Sequence, residues 1–354
     1  MLATLVLLFA IQVVAIGQQP IPPVAELREE CAAFLVTSGA VGMTVAAMVG
    51  GEVVFDEAFG ERDREAKLPT ERTTLMRLAS VSKPVTATLA AMLAHEGKLS
   101  LDAAVSQHVK DLPLAVQSLT MRRLLSHTAG MRHYRPGTEE TGDRSYTTKE
   151  ALALFVGDPL IAEPGSKYSY STHAFTLVAA GIEGATLRTF RDLLRERIST
   201  VCAPTLDCEV LSEAKPLRSA VYELRKGKAV RATPREDLSW KHAGGGMECT
   251  ALDLVRFADA VLRASLLSAE VRDAMWTQQT LTSGDAVDYG LGWGVAKGRP
   301  VVSHSGSQQG SSAMLSVNRE SGFVVAILCN TTGAKAPELA PRLQRILGDA
   351  MRKK

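Results

Sequence analysis

Ser80 and Lys83 are the pair of side chains whose types and spacing are best suited to chemistry in this chain. Positions three apart on a helix share one face, so the hydroxyl and the amine point the same way. Pro84 fits the first turn of such a helix, and Gly97 predicts its end. The start of a helix favours developing negative charge, so the spacing predicts a serine nucleophile with a nearby base.

Two later segments carry residues that could complete such a site. Tyr170 lies in a tyrosine-rich run after the turn-forming Pro164 and Gly165, and its phenol is a second candidate for the base. Residues 304–307, with the sequence HSGS, follow an apolar stretch and indicate a strand edge made of small residues. Small residues let a substrate approach the backbone closely.

The order of these three elements resembles the serine beta-lactamase and penicillin-binding protein superfamily. The class C branch is the most similar; it includes D-alanyl-D-alanine carboxypeptidases, D-aminopeptidases, family esterases and mitochondrial-type beta-lactamase-like proteins. Residues 80–83 match the S-x-x-K element, 170–172 the Y-x-N element, and 304–306 the K-T-G element in its H-[ST]-G variant. Residues 124–131, 244–247 and 289–294 are also similar to the family.

The resemblance implies a role for each matching residue. Ser80 would be acylated, and either Lys83 or Tyr170 would take its proton. The backbone N–H groups of Ser80 and Ser307 would form the oxyanion hole. Four residues would contact the substrate: Thr172, His304, Ser305 and Gly306. Neither a metal nor an organic cofactor is implied.

Two positions depart from the family pattern. Thr172 replaces the asparagine of Y-x-N, which in the family helps to hold the substrate. His304 replaces the lysine of K-T-G, as in some carboxypeptidases and the mitochondrial-type relatives. Because histidine titrates near about 6.5, we expect His304 to make the binding of a carboxylate substrate depend on pH near neutrality.

Three functions compete on this basis. The first is a serine hydrolase that acts through an acyl-enzyme on a peptide, amide or ester, as carboxypeptidases and esterases do. The second is a true class C-like beta-lactamase, which shares acylation but needs fast deacylation. The third is a non-catalytic binding or scaffolding module on the same fold. The presence of both Ser80 and Lys83 favours the first.

Composition and absent motifs narrow the class of partner. The chain has 354 residues and a formal net charge of +2, too balanced to indicate a nucleic-acid surface. No G-x-S-x-G elbow and no H-E-x-x-H motif occurs, which argues against an α/β-hydrolase and a zinc protease. We therefore expect a small-molecule or peptide substrate and no nucleic acid, and leave the oligomeric state open.

The N-terminus and the cysteines bear on the cellular compartment. Residues 1–19 predict a signal peptide, because an apolar run ends in small residues at cleavage spacing. This predicts a periplasmic or secreted protein, without stable membrane insertion unless the leader stays uncleaved as an anchor. Cys202 and Cys208 bracket a turn-like loop, so a local disulfide is predicted between them.

The distribution of strand and helix signals predicts an α+β fold. One hydrolase domain is expected over residues 24–350, with a helix at 24–38 and a strand pair at 42–49 and 52–59 around Gly50 and Gly51. Strands are expected at 289–295, 301–303, 313–318 and 323–328, and a helix at 339–351. An antiparallel sheet would therefore combine residues 24–75 with 285–350, flanked by helices. Residues 76–284 would form a mostly helical lobe, as in the beta-lactamase/transpeptidase-like architecture.

Overall fold

The computed structural model describes residues 23–135 and 144–352. A seven-stranded antiparallel sheet lies at its centre, in the order β3-β2-β1-β12-β11-β10-β9. Two small sheets have the orders β13-β6-β7 and β4-β8-β5. The strands are β1 (Gly42–Val49), β2 (Glu52–Asp63), β3 (Leu68–Pro69), β4 (Met76–Arg77), β5 (Asp207–Cys208), β6 (Tyr222–Arg225), β7 (Lys228–Arg231), β8 (Met247–Cys249), β9 (Gly294–Val295), β10 (Val301–Gln308), β11 (Ser311–Asn318), β12 (Phe323–Cys329) and β13 (Thr331–Thr332).

Helices cover both faces of the large sheet and fill the middle of the chain. They are α1 (Val24–Ser38), α2 (Ser82–His95), α3 (Leu114–Gln117), α4 (Met121–Leu125), α5 (Thr148–Ala153), α6 (Thr172–Thr186), α7 (Phe190–Leu194), α8 (Thr200–Cys202), α9 (His242–Gly245), α10 (Ala251–Leu262), α11 (Ala269–Met275) and α12 (Ala340–Arg352). A π-helical turn, Arg195–Ser199, joins α7 to α8.

Two hydrophobic cores lie on opposite faces of the large sheet. Successive side chains of a strand point to opposite faces, so Met43 and Val45 of β1 pack against α1 and α12, whereas Ala46 and Met48 face the helical lobe. β12 is buried along its whole length because both of its faces are covered. In the larger core α2 packs against α6, α9 and α11.

The predicted fold class is confirmed. α1 has the predicted bounds, and β1 and β2 form the predicted hairpin, with Gly50 and Gly51 both at positive φ. β1 pairs with β12, so the sheet does combine the two ends of the described chain.

Two details of the fold differ from expectation. The strand predicted at 289–295 is wrong for most of its length, since only Gly294–Val295 is a strand. The N–H of Gly290 donates to the carbonyl of Trp293, which closes a turn instead of a ladder. The middle of the chain also contains β4 to β8, which are short strands without a clear alternation of apolar residues in the sequence.

The predicted disulfide between Cys202 and Cys208 is wrong, because both residues are free thiols. Cys202 ends α8 and directs its Sγ toward the carbonyl of Ile198 at 3.5 Å. Cys208 lies in β5, opposite Met247 of β8, and is fully buried. The loop between the two cysteines therefore separates a helix end from a core strand.

The predicted signal peptide, residues 1–19, lies outside the described residues and stays a prediction. Among the described helices, none combines the length and the apolar composition needed to cross a membrane.

Candidate active site

Ser80 lies in a 3₁₀ turn, Ala79–Val81, that runs directly into α2. The preceding residue, Ala79, has a φ of 47°, in the left-handed region that residues with a Cβ seldom adopt. Backbone of this kind costs on the order of 1–3 kcal/mol and persists only where the surroundings hold it. The half-buried Ser80 side chain is therefore presented from a tightly constrained backbone.

β10 lies directly against that backbone. A Cβ placed on Gly306 would lie 2.5 Å from the Leu78 carbonyl oxygen and 3.0 Å from the Ser80 nitrogen, so only glycine permits this approach. β9 pairs with β10 only at Val302 and Ser303. From His304 onward, β10 pairs with β11 on one edge, and no strand of the described residues pairs with its other edge. Ser305 and Ser307 have exposed side chains on this stretch.

Lys83 is fully buried one turn from Ser80. Its Nζ lies 3.1 Å from Ser80 Oγ, 3.1 Å from Thr172 Oγ1 and 2.6 Å from the Gly244 carbonyl oxygen. Burial, with a contribution from the positive charge of Lys241, holds the pKa of Lys83 well below its usual range. The site therefore favours a neutral amine.

The three contacts of a neutral Lys83 amine can be assigned. A neutral amine has two N–H donors and one lone pair, and the Gly244 carbonyl can only accept. If Thr172 Oγ1 accepts the second N–H, the lone pair faces the hydroxyl of Ser80. This is the arrangement that proton abstraction from Ser80 requires.

Tyr170 approaches Ser80 from the helical lobe. Its hydroxyl donates to Ser80 Oγ at 2.8 Å, and Lys83 Nζ lies 4.8 Å from the centre of its ring. Burial raises the pKa of Tyr170 well above its usual range, against the opposing effect of the bond to Ser80. A neutral phenol is therefore favoured, so Tyr170 is better suited to donate a proton than to accept one.

Two histidines fix the segment that carries Tyr170 and Thr172. His127 Nδ1 accepts the Ser171 N–H at 3.1 Å, and His133 Nδ1 accepts the Thr172 N–H at 3.1 Å. These bonds bind backbone groups at the start of α6, whose cap is the Ser171 side chain. Thr172 keeps the contact to Lys83 despite the departure from Y-x-N, but offers a hydroxyl in place of a carboxamide.

The expectation that His304 titrates near neutrality is wrong. Its Nδ1 lies 2.6 Å from the Ser305 carbonyl oxygen, and its Nε2 lies 2.8 Å from the Tyr289 hydroxyl. A carbonyl only accepts, so Nδ1 carries the proton and Nε2 accepts from Tyr289. Burial lowers the pKa of His304 to about 3. Both ring nitrogens are therefore engaged with the protein around a neutral ring.

The structure thus brings together most of the predicted site residues. Ser80, Lys83, Tyr170 and Thr172 are joined by hydrogen bonds, and Gly306 contacts the backbone of Ser80. His304 joins the same neighbourhood through its ring, 6.4 Å from the ring of Tyr170.

Besides His127 and His133, three further residues near the site lacked an assigned role at the sequence level. Gly244 supplies a carbonyl to Lys83, and a Cβ there would lie 2.8 Å from Thr172 Cγ2. Tyr289 donates to His304. Both lie in the glycine-rich segments 244–247 and 289–294, which were the available signal. The third, Arg77, lies just upstream of Ser80 and gave no sequence signal.

Comparison with known proteins finds a matching family model and a relative that is similar over most of the chain. A sequence model of the family described as Beta-lactamase matches residues 27–348. The mitochondrial serine beta-lactamase-like protein LACTB of Homo sapiens is 28% identical, over 82% of this chain and 74% of the human protein.

Solved structures share the fold. The D-amino acid amidase from Ochrobactrum anthropi SV3, complexed with L-phenylalanine amide, superposes with a TM-score of 0.79 at 22% identity, covering 92% of this chain and 99% of the amidase. The octameric penicillin-binding protein homologue from Pyrococcus abyssi superposes with a TM-score of 0.75 at 23% identity, covering 90% of this chain and 77% of the homologue.

Proposed function

The chain belongs to the beta-lactamase family, and on that premise we propose that it is a serine hydrolase that forms an acyl-enzyme on a peptide, amide or ester substrate. The observation that carries the proposal is the double contact at Ser80 Oγ. Lys83 Nζ lies 3.1 Å from this oxygen and the Tyr170 hydroxyl lies 2.8 Å from it. Lys83 is placed to accept the proton of Ser80, and Tyr170 donates a hydrogen bond to the same oxygen. Such a pairing of nucleophile and base is the signature of covalent catalysis.

Acylation uses the neutral forms that burial favours. Ser80 Oγ attacks the substrate carbonyl carbon while its proton passes to the lone pair of Lys83 Nζ. The carbonyl oxygen becomes an oxyanion that accepts from the N–H groups of Ser80 and Ser307. When the bond to the leaving group breaks, the Tyr170 phenol donates a proton to the leaving nitrogen or oxygen, and the Lys83 ammonium restores that proton. Removing one oxyanion donor typically lowers the rate about a hundred- to a thousandfold.

Deacylation repeats these roles with water as the nucleophile. A water molecule attacks the acyl carbon as its proton passes to the lone pair of Lys83 Nζ. The ester bond to Ser80 then breaks, Oγ recovers a proton, and the acid leaves. The site returns to its starting state with no net change in protonation apart from that of the released products.

The open stretch of β10 supports an extended substrate. From His304 onward its outer edge has no paired strand among the described residues, and an extended chain can add to such an edge through main-chain hydrogen bonds. The exposed side chains of Ser305 and Ser307 leave room around it. The named activity of the amidase neighbour also supports amides as one substrate class. We favour a carboxypeptidase- or esterase-type activity, because Thr172 lacks the carboxamide that would hold an acylamino side chain.

Active-site labelling tests the proposal. Purified protein is incubated with a fluorophosphonate and, separately, with a fluorescent penicillin, and the adduct is located by intact mass and peptide mapping. We expect one adduct, on Ser80, that is absent from Ser80→Ala.

Ser82→Ala is the matched control. Its hydroxyl is fully buried and donates to the Ala79 carbonyl at 2.7 Å, so its loss should leave labelling intact. A label on Ser82, or no adduct with either probe, would overturn the proposal. A panel of D-amino-acid peptides, short-chain esters and cephalosporins would then rank the substrates of the labelled enzyme.

A further inference from the structure

We propose that Arg77 is a positioning residue that sets the distance between the nucleophile and the oxyanion hole. This inference rests on the proposed function, since it concerns the alignment of Ser80 with Ser307. Arg77 touches neither the nucleophile side chain nor any expected substrate contact. It would act by holding two backbone segments in register.

The guanidinium of Arg77 is 1% exposed and fully bonded. Its Nε and one NH2 hydrogen bind both carboxylate oxygens of Glu209, at 2.9 and 2.6 Å. The second NH2 hydrogen binds the Glu236 carbonyl at 2.7 Å. The NH1 group binds the backbone oxygen and the side-chain oxygen of Gln309, at 3.0 and 3.3 Å. Five donors therefore meet five acceptors on three separate segments.

One of those segments follows the end of β10, the strand that carries Ser307. Gln309 follows Gln308, the last residue of β10, and lies two residues beyond Ser307. Its side chain is itself fixed, since Oε1 accepts the Glu236 N–H at 2.9 Å and Nε2 donates to the Pro234 carbonyl at 3.0 Å. The turn after Ser307 is thus anchored to the guanidinium of Arg77.

The backbone of Arg77 anchors the nucleophile from the other side. Its carbonyl accepts the Ser311 hydroxyl of β11 at 2.8 Å, and the next residue, Leu78, donates its N–H to the Met247 carbonyl at 2.8 Å. Ala79, at its strained φ of 47°, and Ser80 follow immediately. The side chain of Arg77 therefore holds the β10–β11 turn, and its backbone holds the segment that leads into Ser80.

A second arginine provides the contrast that makes this testable. Arg235 also binds both oxygens of Glu209, at 3.1 and 2.9 Å, but its remaining contact is the Ser219 carbonyl at 2.7 Å. The hydrogen bonds of its side chain end on Glu209 and Ser219, and it is the backbone of its neighbours Pro234 and Glu236 that binds Gln309. Arg235→Lys therefore perturbs the same carboxylate without disturbing the proposed alignment.

The experiment compares Arg77→Lys, Gln309→Ala and Arg235→Lys with wild type. Steady-state kcat and KM are measured on a substrate that wild type hydrolyses. Affinities are measured for a boronic acid, which mimics the tetrahedral oxyanion, and for the carboxylate product. Thermal unfolding checks the fold of each variant.

We expect Arg77→Lys to lower kcat about tenfold to a hundredfold with KM changed less than about threefold, a fraction of the effect of deleting an oxyanion donor. Boronate affinity should fall in parallel with kcat, while product affinity stays constant. Gln309→Ala should show the same pattern more weakly, and it stands in for Arg77→Lys if that variant does not fold.

Two results overturn the proposal. One is unchanged kcat and boronate affinity in folded Arg77→Lys or Gln309→Ala. The other is an equal loss in Arg235→Lys, which would show that only the charge balance at Glu209 matters. Either result leaves labelling of wild-type Ser80 intact, whereas failure of the proposed function would abolish that labelling.

Discussion

Two buried polar clusters flank the start of α2, and they handle charge in opposite ways. The catalytic cluster comprises Ser80, Lys83, Tyr170, Thr172 and His304, and the bonds drawn from Lys83 end on two hydroxyls and one carbonyl. The arginine cluster, Arg77, Glu209 and Arg235, consists of bidentate ion pairs. The two clusters differ in whether a carboxylate faces the cation.

That difference decides which groups ionise. No carboxylate of the described residues faces Lys83 or His304, and burial lowers the pKa of both. In the arginine cluster burial opposes ionisation of Glu209 too, yet the guanidinium groups of Arg77 and Arg235 hold its pKa well below its usual range. Comparable burial thus favours neutral groups in the first cluster and an ionised carboxylate in the second.

The largest expected effect comes from removing the amine of the catalytic cluster. Lys83→Met should lower the acylation rate about a hundred- to ten-thousandfold, the usual range for general acid–base help. Stopped-flow acylation by a chromogenic ester measures it. Tyr170→Phe should also lower the rate, and the double variant should be little worse than Lys83→Met, because the residues act as one unit. Near-normal acylation by Lys83→Met would remove the proposed base.

Removing the carboxylate of the arginine cluster should lower the free energy of unfolding. Glu209→Gln leaves two guanidinium groups facing a neutral amide, and loss of one partner of a buried ion pair costs about 3–5 kcal/mol. Urea unfolding at pH 7 measures this loss. Because the folded-state pKa of Glu209 is depressed, its contribution is present above the unfolded value of about 4.3 and is lost as pH falls further. The difference in the free energy of unfolding between wild type and Glu209→Gln should therefore narrow below that pH. A difference that stays constant with pH would contradict the ion pairing of Glu209.

Converting one cluster into the other sharpens the comparison. Thr172→Asp places a carboxylate where Thr172 Oγ1 now lies, 3.1 Å from Lys83 Nζ. A facing charge at this range raises an amine pKa by about 1–3 units. In the proposed mechanism neutral Lys83 is the active form, so the acidic limb of kcat/KM should move to higher pH by that amount. Thr172→Asn, of matching shape but uncharged, should leave the limb in place, and an unmoved limb in Thr172→Asp would refute the assignment of Lys83 to it.

The smallest expected effect concerns selectivity. Thr172→Asn restores a carboxamide with two donors and an acceptor, where Thr172 offers one hydroxyl. The ratio of kcat/KM for an acylated amide or beta-lactam over a simple ester should rise, by about tenfold if one hydrogen bond is gained. Competition between the two substrates in one vessel reads this ratio directly. An unchanged ratio would place specificity elsewhere in the cleft.

Sequence reasoning succeeded where the controlling interactions are local. The spacing of Ser80 and Lys83 follows from one helical turn, and the β1–β2 hairpin from Gly50 and Gly51. It could not find the Arg77–Glu209 pair, whose members are 132 residues apart, because nothing local marks such a contact. The strand predicted at 289–295 was one error; the other two, the disulfide and the titration of His304, share a cause. Both depend on burial and direction of a side chain, which residue type alone does not determine.

The pairing of β1 with β12 joins two segments that lie far apart in the chain. Met43 faces Cys329 across this ladder, so the central sheet closes only when nearly the whole described chain is available. Pairings between distant segments form late, since the entropy of closing a long loop is lost before the contacts are gained. β10, which lies against Ser80, belongs to the same late-arriving sheet. A chain synthesised only as far as β9 therefore contains Ser80 and Lys83 but lacks β10, the strand that lies against Ser80.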